Sequence, residues 1–283
     1  MTPLVYDVDT GSYVGGIALT TNGVTYSTKN TPAVSTFFGD TRIYITAENS
    51  DADVSRFYAV RLTGQQGAPF QILWSENTSQ AGGQASPTVR DDRIVFDTVM
   101  NGTPTLVGVQ DGGASMASRW NRSSLTGSSF YSSVALDPRG PYFYTWEIES
   151  RFVYRRRVDN GQLVSGSVNV DQYFSAAEGV QRPNSPMVIG DGPSGPAMIV
   201  STAKTGGSYH VIAFDLATQS LLWRQQISTS FLQNSTAAQF PVVFADDGSP
   251  TVVAGTWNAG PMFIGTAGCA PWSGSTTSRA RAD

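Results

Sequence analysis

Side chains suited to chemistry are scarce in this sequence. The 283 residues include one histidine, His210, and one cysteine, Cys269. A single imidazole rules out a metal centre that needs two histidines from one chain, and a single thiol rules out an internal disulfide framework. A Ser-His-Asp arrangement has only His210 to build on, at the start of the run YHVIAFDL and beside Gly206-Gly207. An imidazole placed where a loop enters a strand is read as hydrogen-bonded or solvated rather than catalytic. Oxygen ligands remain. Asn49, Asp51 and Asp53 alternate as in a calcium loop, yet the glycine and terminal carboxylate of such a loop are missing. Asp191-Gly192 and Asp246-Asp247-Gly248 carry too few alternate carboxylates and read as plain turns. Arg155-Arg156-Arg157 is a local basic cluster with Arg155 and Arg157 on one strand face. It reads either as a solvated or salt-bridged edge or, with Tyr142, Tyr144 and Trp146 close by, as a recognition patch.

The elements that position these residues come next. Charged residues make up 14% of the chain and apolar ones 40%, with 29 glycines, which is the composition of a globular protein. Eighteen Lys plus Arg against twenty-two Asp plus Glu leave a net charge of -4, so no basic field exists to hold nucleic acid or an anionic membrane. No apolar run is long enough to span a membrane as a helix. The N-terminus lacks a signal-peptide pattern and enters a strand at Leu4, as if more sequence preceded it. Residues 269–283 are small and polar and are expected to form a disordered tail after a domain of residues 1–268.

Apolar residues fall in short β-branched or aromatic runs: RIYIT, RIVFDTV, PYFYTW, AMIVST and TVVAGT. Each follows a turn-forming segment, and each is followed by a further strand, so the same hairpin recurs along an all-β chain. Asp7, Arg61, Gln110, Arg157, Asp215 and Ile264 occupy one register position, which gives a repeat of roughly fifty residues, the length of a four-stranded propeller blade. Complete units end near Trp74, Trp120, Val170 and Trp223, with a fifth hairpin from Phe240 to Gly265. The count fits about five blades, closed by sharing a blade between the two termini, or a fragment of a larger ring of about eight.

The segment Ala213-Phe214-Asp215-Leu216-Ala217-Thr218-Gln219-Ser220-Leu221-Leu222-Trp223 resembles the repeat A-x-D-x-x-T-G-x-x-x-W of the quinoprotein-type (pyrroloquinoline-quinone-like) β-propellers. Only the glycine departs, being Gln219. Asp7, Thr10 and Gly11 keep part of the pattern at the N-terminus, and Gly161 keeps its glycine in the third unit. Asp215 and Thr218 are expected to bond turn amides, and Trp74, Trp120 and Trp223 to pack against the next blade. Quinoprotein alcohol dehydrogenases of this fold hold their quinone against a vicinal disulfide and a calcium ion. Adjacent cysteines do not exist here, so neither pyrroloquinoline quinone nor calcium is expected.

The resemblance, without that chemistry, implies a non-catalytic scaffold binding a protein or a surface polymer through loops on one face. It also implies a periplasmic or secreted location and action as a monomer; sequons at Asn77, Asn101, Asn121 and Asn234 accord weakly with export. A fragment of a quinone-dependent dehydrogenase and a carbohydrate-binding or sensor ectodomain are the alternatives. Turns between second and third strands vary most, so Asp51, Asp53, Glu147, Glu149 and Arg151, with Trp146 and Trp257 nearby, are expected to border the contact face.

Overall fold

The computed structural model describes residues 4–6, 12–28, 30–65, 68–79, 86–127, 134–147, 149–164, 166–178, 182–183, 187–191, 195–203, 209–228, 238–246, 249–256 and 260–265. Strand dominates them, and the helical element among them is a single 3-10 turn, Val170–Tyr173. Four antiparallel meanders succeed one another. Blade I contains Ala33–Ser35, Thr41–Asn49, Val54–Leu62 and Phe70–Ser79. Blade II contains Thr88–Arg90, Arg93–Met100, Thr103–Asp111 and Met116–Ser123. Blade III contains Ala135–Leu136, Tyr142–Trp146, Phe152–Arg157 and Val168–Asn169. In blade IV the first strand is split into Arg182–Pro183 and Val188–Asp191, both paired with Pro196–Ala203, and Tyr209–Asp215 and Leu221–Ser228 follow. Blade V is three-stranded among the described residues: Ala238–Asp246, Ser249–Thr256 and Gly260–Gly265.

The first strands of successive blades are neighbours, which wraps the chain round an axis as a β-propeller. Side chains tie this inner ring to the main chain of the next blade: Ser35 Oγ donates to the Asp91 carbonyl at 2.8 Å and Thr88 Oγ1 to the Val134 carbonyl at 2.7 Å. Before blade I, Leu19–Thr21 and Val24–Tyr26 form a hairpin over Asn22-Gly23, both at positive φ. This hairpin bridges to blade I through Ser27 and Glu48, whose amides and carbonyls exchange two bonds of 2.8 Å. Leu4–Tyr6 pairs with Tyr13–Gly16 in a two-stranded sheet that, among the described residues, makes no ladder with blade V.

The middle strands are buried continuously rather than alternately, because each blade is covered on both faces. Tyr44 and Phe57 face blade II, in a core with Trp74, Ile94, Phe96 and Val107. Their chain neighbours Ile45 and Tyr58 point the other way, into a core with Ile17, Leu19 and Tyr26 of the N-terminal hairpin. Period-two geometry thus feeds two inter-blade cores from one apolar run. Fully burying one such side chain contributes about 1.5–3 kcal/mol.

The outer strands carry a second regularity. Trp74 stands opposite Ala59, Trp120 opposite Gly108, and Trp223 opposite Ala213. The alanine and tryptophan of the repeat are therefore cross-strand partners, and the small residue makes room for the indole. A Cβ on Gly108 would lie 1.9 Å from the Trp120 ring. Replacing Gly108 with Ala should destabilise the fold by about 1–3 kcal/mol or more through overpacking. Gln219 has a φ of +56° where the repeat has glycine. Gln219→Gly should therefore stabilise by about 0.5–1 kcal/mol through relief of a left-handed backbone. Urea denaturation of both variants measures the two opposite shifts.

Candidate functional site

The turn at Asp215 forms as the repeat requires. Asp215 is buried, and its Oδ1 accepts from the amides of Ala217 at 2.9 Å and Thr218 at 2.7 Å. Thr218 Oγ1 lies 2.8 Å from Ser220 Oγ, and Gln219 offers its carbonyl to the Tyr173 hydroxyl at 2.9 Å. The equivalent indoles reach across blades. Trp74 Nε1 donates to Asp111 Oδ1 of blade II at 3.0 Å, and Trp120 Nε1 to the Val158 carbonyl of blade III at 2.9 Å. Trp223 is part-buried in the same outer-strand position. Asp7, Thr10, Gly11, Trp257 and the tail 269–283 lie outside the described residues.

Two buried carboxylates join blades. Asp111 takes Arg42 Nη1 at 2.8 Å and the Tyr44 hydroxyl at 2.7 Å on one oxygen, and Trp74 and the Gly113 amide at 2.8 Å on the other. Burial, followed by this carboxylate, raises the Tyr44 pKa far above that of a free phenol. Glu147, fully buried, accepts from the Leu125 amide at 3.0 Å, Ser124 Oγ at 3.1 Å and both the amide and hydroxyl of Thr126 at 2.8 Å. Arg156 Nη2 stands 3.7 Å from it. A buried carboxylate without such donors would cost several kcal/mol, roughly, so both groups are committed to holding the frame. Asp111 carried no warning in the sequence beyond its place at a third-strand end.

The expected contact face is only partly a surface. Asp51 and Asp53 are exposed in the turn of blade I, where Asn49 Oδ1 caps the Ala52 amide at 2.8 Å instead of pointing outward as a ligand. A groove of about 370 Å³ opens beside them between Thr25, Tyr26, Glu48 and Asp51. Glu149 and Arg151 are exposed at the equivalent end of blade III, with Arg151 Nε 3.3 Å from Asp171. Trp146 and Glu147 do not belong to that surface. Trp146 is fully buried in the core between blades III and IV and donates to the Ser150 carbonyl at 2.8 Å. Glu147 turns inward to accept the Leu125 and Thr126 amides of the chain leaving blade II. Two apolar side chains with no signal in the repeat pattern are exposed at this end of blades II and III: Leu125, whose amide Glu147 holds, and Phe152.

The arginine run also resolves locally. Arg155 stacks on Tyr142, 3.7 Å from the ring centre; Arg156 is buried near Glu147; Arg157 pairs with Asp159 at 2.8 Å. Arg157 thus forms a salt-bridged edge, while Arg155 covers an aromatic ring and Arg156 lies inside.

His210 is buried in blade IV under the segment that crosses from blade III. Its ring meets the edge of Phe174, and Nε2 lies 3.6 Å from Glu178 Oε1. Glu178 is held by the Ser175 amide at 2.7 Å, Ser175 Oγ at 2.8 Å and Arg224 at 3.0 Å, and its pKa is pulled down to about 2 by these bonds, the amide first. Burial, then the charge of Arg224, lowers the imidazole below its usual 6.5. The imidazole is thus buried between blade IV and the segment that leads to it.

The fold and its site geometry define a β-propeller, and solved structures agree. The chain is similar to the Dos1 propeller, with a TM-score of 0.57 and 13% identity over 95% of this chain and 63% of that one. It is similar to a Bacteroides caccae protein of unknown function, with a TM-score of 0.51 and 12% identity over 94% of this chain and 86% of that one. Hsv2 of Kluyveromyces lactis gives a TM-score of 0.51 and 13% identity over 94% and 71% of the two chains. At these identities the likeness concerns the fold alone. No protein-family model and no curated protein matches the sequence.

The two shifted groups have opposite charges but the same acid sensitivity. His210 is harder to protonate folded than unfolded, so its contribution to stability is complete above pH 6.5 and is lost as pH falls from there towards the lower folded value. Glu178 contributes fully above its ordinary 4.5 and loses that contribution between 4.5 and about 2. Thermal melts across pH should show stability falling in both windows. His210→Gln should flatten the upper one and Glu178→Gln the lower one.

Proposed function

We propose that this chain is a propeller scaffold that binds a protein or a surface polymer through the loops at one end of the ring. The carrying observation is the division of its charged groups. Asp111, Glu147 and Asp215 are buried and bonded within or between blades, whereas Asp51, Asp53, Glu149 and Arg151 stand exposed on turns anchored to that frame. Loops held by a rigid scaffold are where propellers vary without cost to their cores. Leu125, 52% exposed, and Phe152, 39% exposed, add an apolar anchor beside Glu149 and Arg151, the mixture typical of a protein-binding patch. The chain acts in this reading as a monomer. Charge reversal at Asp51 and Asp53 combined with Leu125→Ser and Phe152→Ser should abolish capture of partners from the native source. Unchanged capture by a variant that melts like the parent would overturn the assignment of this face.

Membership of the quinoprotein-type repeat family is the family reading we adopt. The Asp215 turn and the indoles placed opposite Ala59, Gly108 and Ala213 support it. A periplasmic or secreted address rests on that resemblance and is tested by fractionation of the source cells. The donor set does not fit the family's quinone: Cys269 has no adjacent thiol, and the carboxylate of Asp111 is already filled by protein donors. Incubation with pyrroloquinoline quinone and calcium should give neither stoichiometric quinone absorbance nor dye-linked alcohol oxidation. Saturable binding with turnover would point instead to a dehydrogenase fragment.

A further inference from the structure

At the opposite end of the blades, where first strands turn into second strands, blades II and III leave a cleft of about 610 Å³. Its lining is mixed: Val89, Leu136, Pro138 and Pro141 supply apolar surface, and Arg90, Arg139 and Asp91 supply charge. We propose that this cleft binds a carboxylate carried on an apolar body.

The volume lies within the roughly 300–1,000 Å³ range of small-ligand sites. Among the lining residues two guanidiniums stand beside the single carboxylate of Asp91, and the Asp137 carboxylate behind them is taken up by the Arg139 amide. Arg90 is fixed from behind. Its Nη1 donates to the carbonyls of Asp137 and Gly140, which orients the planar group, and among the described residues Nη2 has no protein partner. Asp91 only approaches Arg90 Nε, at 3.9 Å, and with its side chain 62% exposed it stands at the rim rather than capping the guanidinium.

The opposite wall is stiff. Asp137 accepts from the Arg139 amide at 2.9 Å and donates its own amide to the Tyr142 carbonyl at 3.0 Å, and prolines at 138 and 141 restrict the turn between. The blade II side is fixed by the bond from Ser35 to the Asp91 carbonyl. A cleft formed in advance loses little entropy when a ligand enters. An oriented guanidinium matches a carboxylate in charge and in plane, and the apolar part of the lining takes whatever carries it.

Either a free organic acid or the C-terminus of a peptide offers this chemistry. Calorimetric titration of the whole chain with hexanoate, hexanamide, the tripeptide acetyl-Leu-Pro-Leu and its C-terminal amide tests the proposal. The carboxylate of each pair should bind about ten-fold or more tightly than its amide, and more weakly as salt is raised. A tighter tripeptide identifies the chain terminus as the source, and a tighter hexanoate the free acid.

Arg139→Gln should weaken carboxylate binding by about ten-fold, and Asp91→Asn, exposed and already at a positive φ of 56° that asparagine accepts, should strengthen it. Arg90→Lys keeps the charge but loses the fork, and should fall between the parent and Arg139→Gln. Equal binding of carboxylate and amide, no saturable carboxylate binding at about millimolar levels, or insensitivity of folded Arg139→Gln and Asp91→Asn proteins would each overturn the proposal.

Discussion

An indole laid across a residue no larger than alanine is the contact on which the ring depends. The outer strand of a blade has one edge without a strand, and a side chain there must reach beyond its own sheet to bury anything. Tryptophan is long enough to do so if the third strand beneath it is flat. Ala59 and Gly108 supply that flatness, and the ring nitrogens of Trp74 and Trp120 find acceptors at Asp111 and the Val158 carbonyl in the following blade. Blades I and II thereby set the positions of blades II and III. Gly161 extends the constraint, because a Cβ there would meet the Trp120 ring at 2.5 Å.

Polar chemistry follows from that arrangement. A wedge between twisted sheets is too dry to leave a main-chain group or a carboxylate without partners, so the groups trapped there are bonded to each other. Asp111 gathers donors from two blades, and Glu147 collects the amides of the passage from blade II to blade III. Such ties hold the blades in register but leave those carboxylates no free oxygen for an external ligand. Chemistry towards other molecules is left to the rims, where turns differ from blade to blade.

The two ends of the blades differ in kind. At the end of the second-to-third-strand turns, mixed charges and exposed apolar side chains lie on an open surface. At the other end, proline-bounded turns and a braced guanidinium line an open cleft.

The strand order, the fifty-residue period and the turn at Asp215 were legible in the sequence because they are local: period-two alternation, turn chemistry and a short motif need only neighbouring residues. The docking indoles were legible for the same reason, through the spacing of the repeat. The sequence could not show that Trp146 and Glu147 turn inward, that Asp111 binds four donors, or that Leu125 and Phe152 remain exposed. Burial of a charged group depends on whether donors arrive from another blade, and those donors, such as Arg42 and the Thr126 amide, are distant in sequence. Local pattern therefore determined the blades and their count of strands. Only the packing of one blade on the next decided which carboxylates were buried as structure and which stayed exposed, because the free energy of a buried charge is set by partners that only the folded ring brings together.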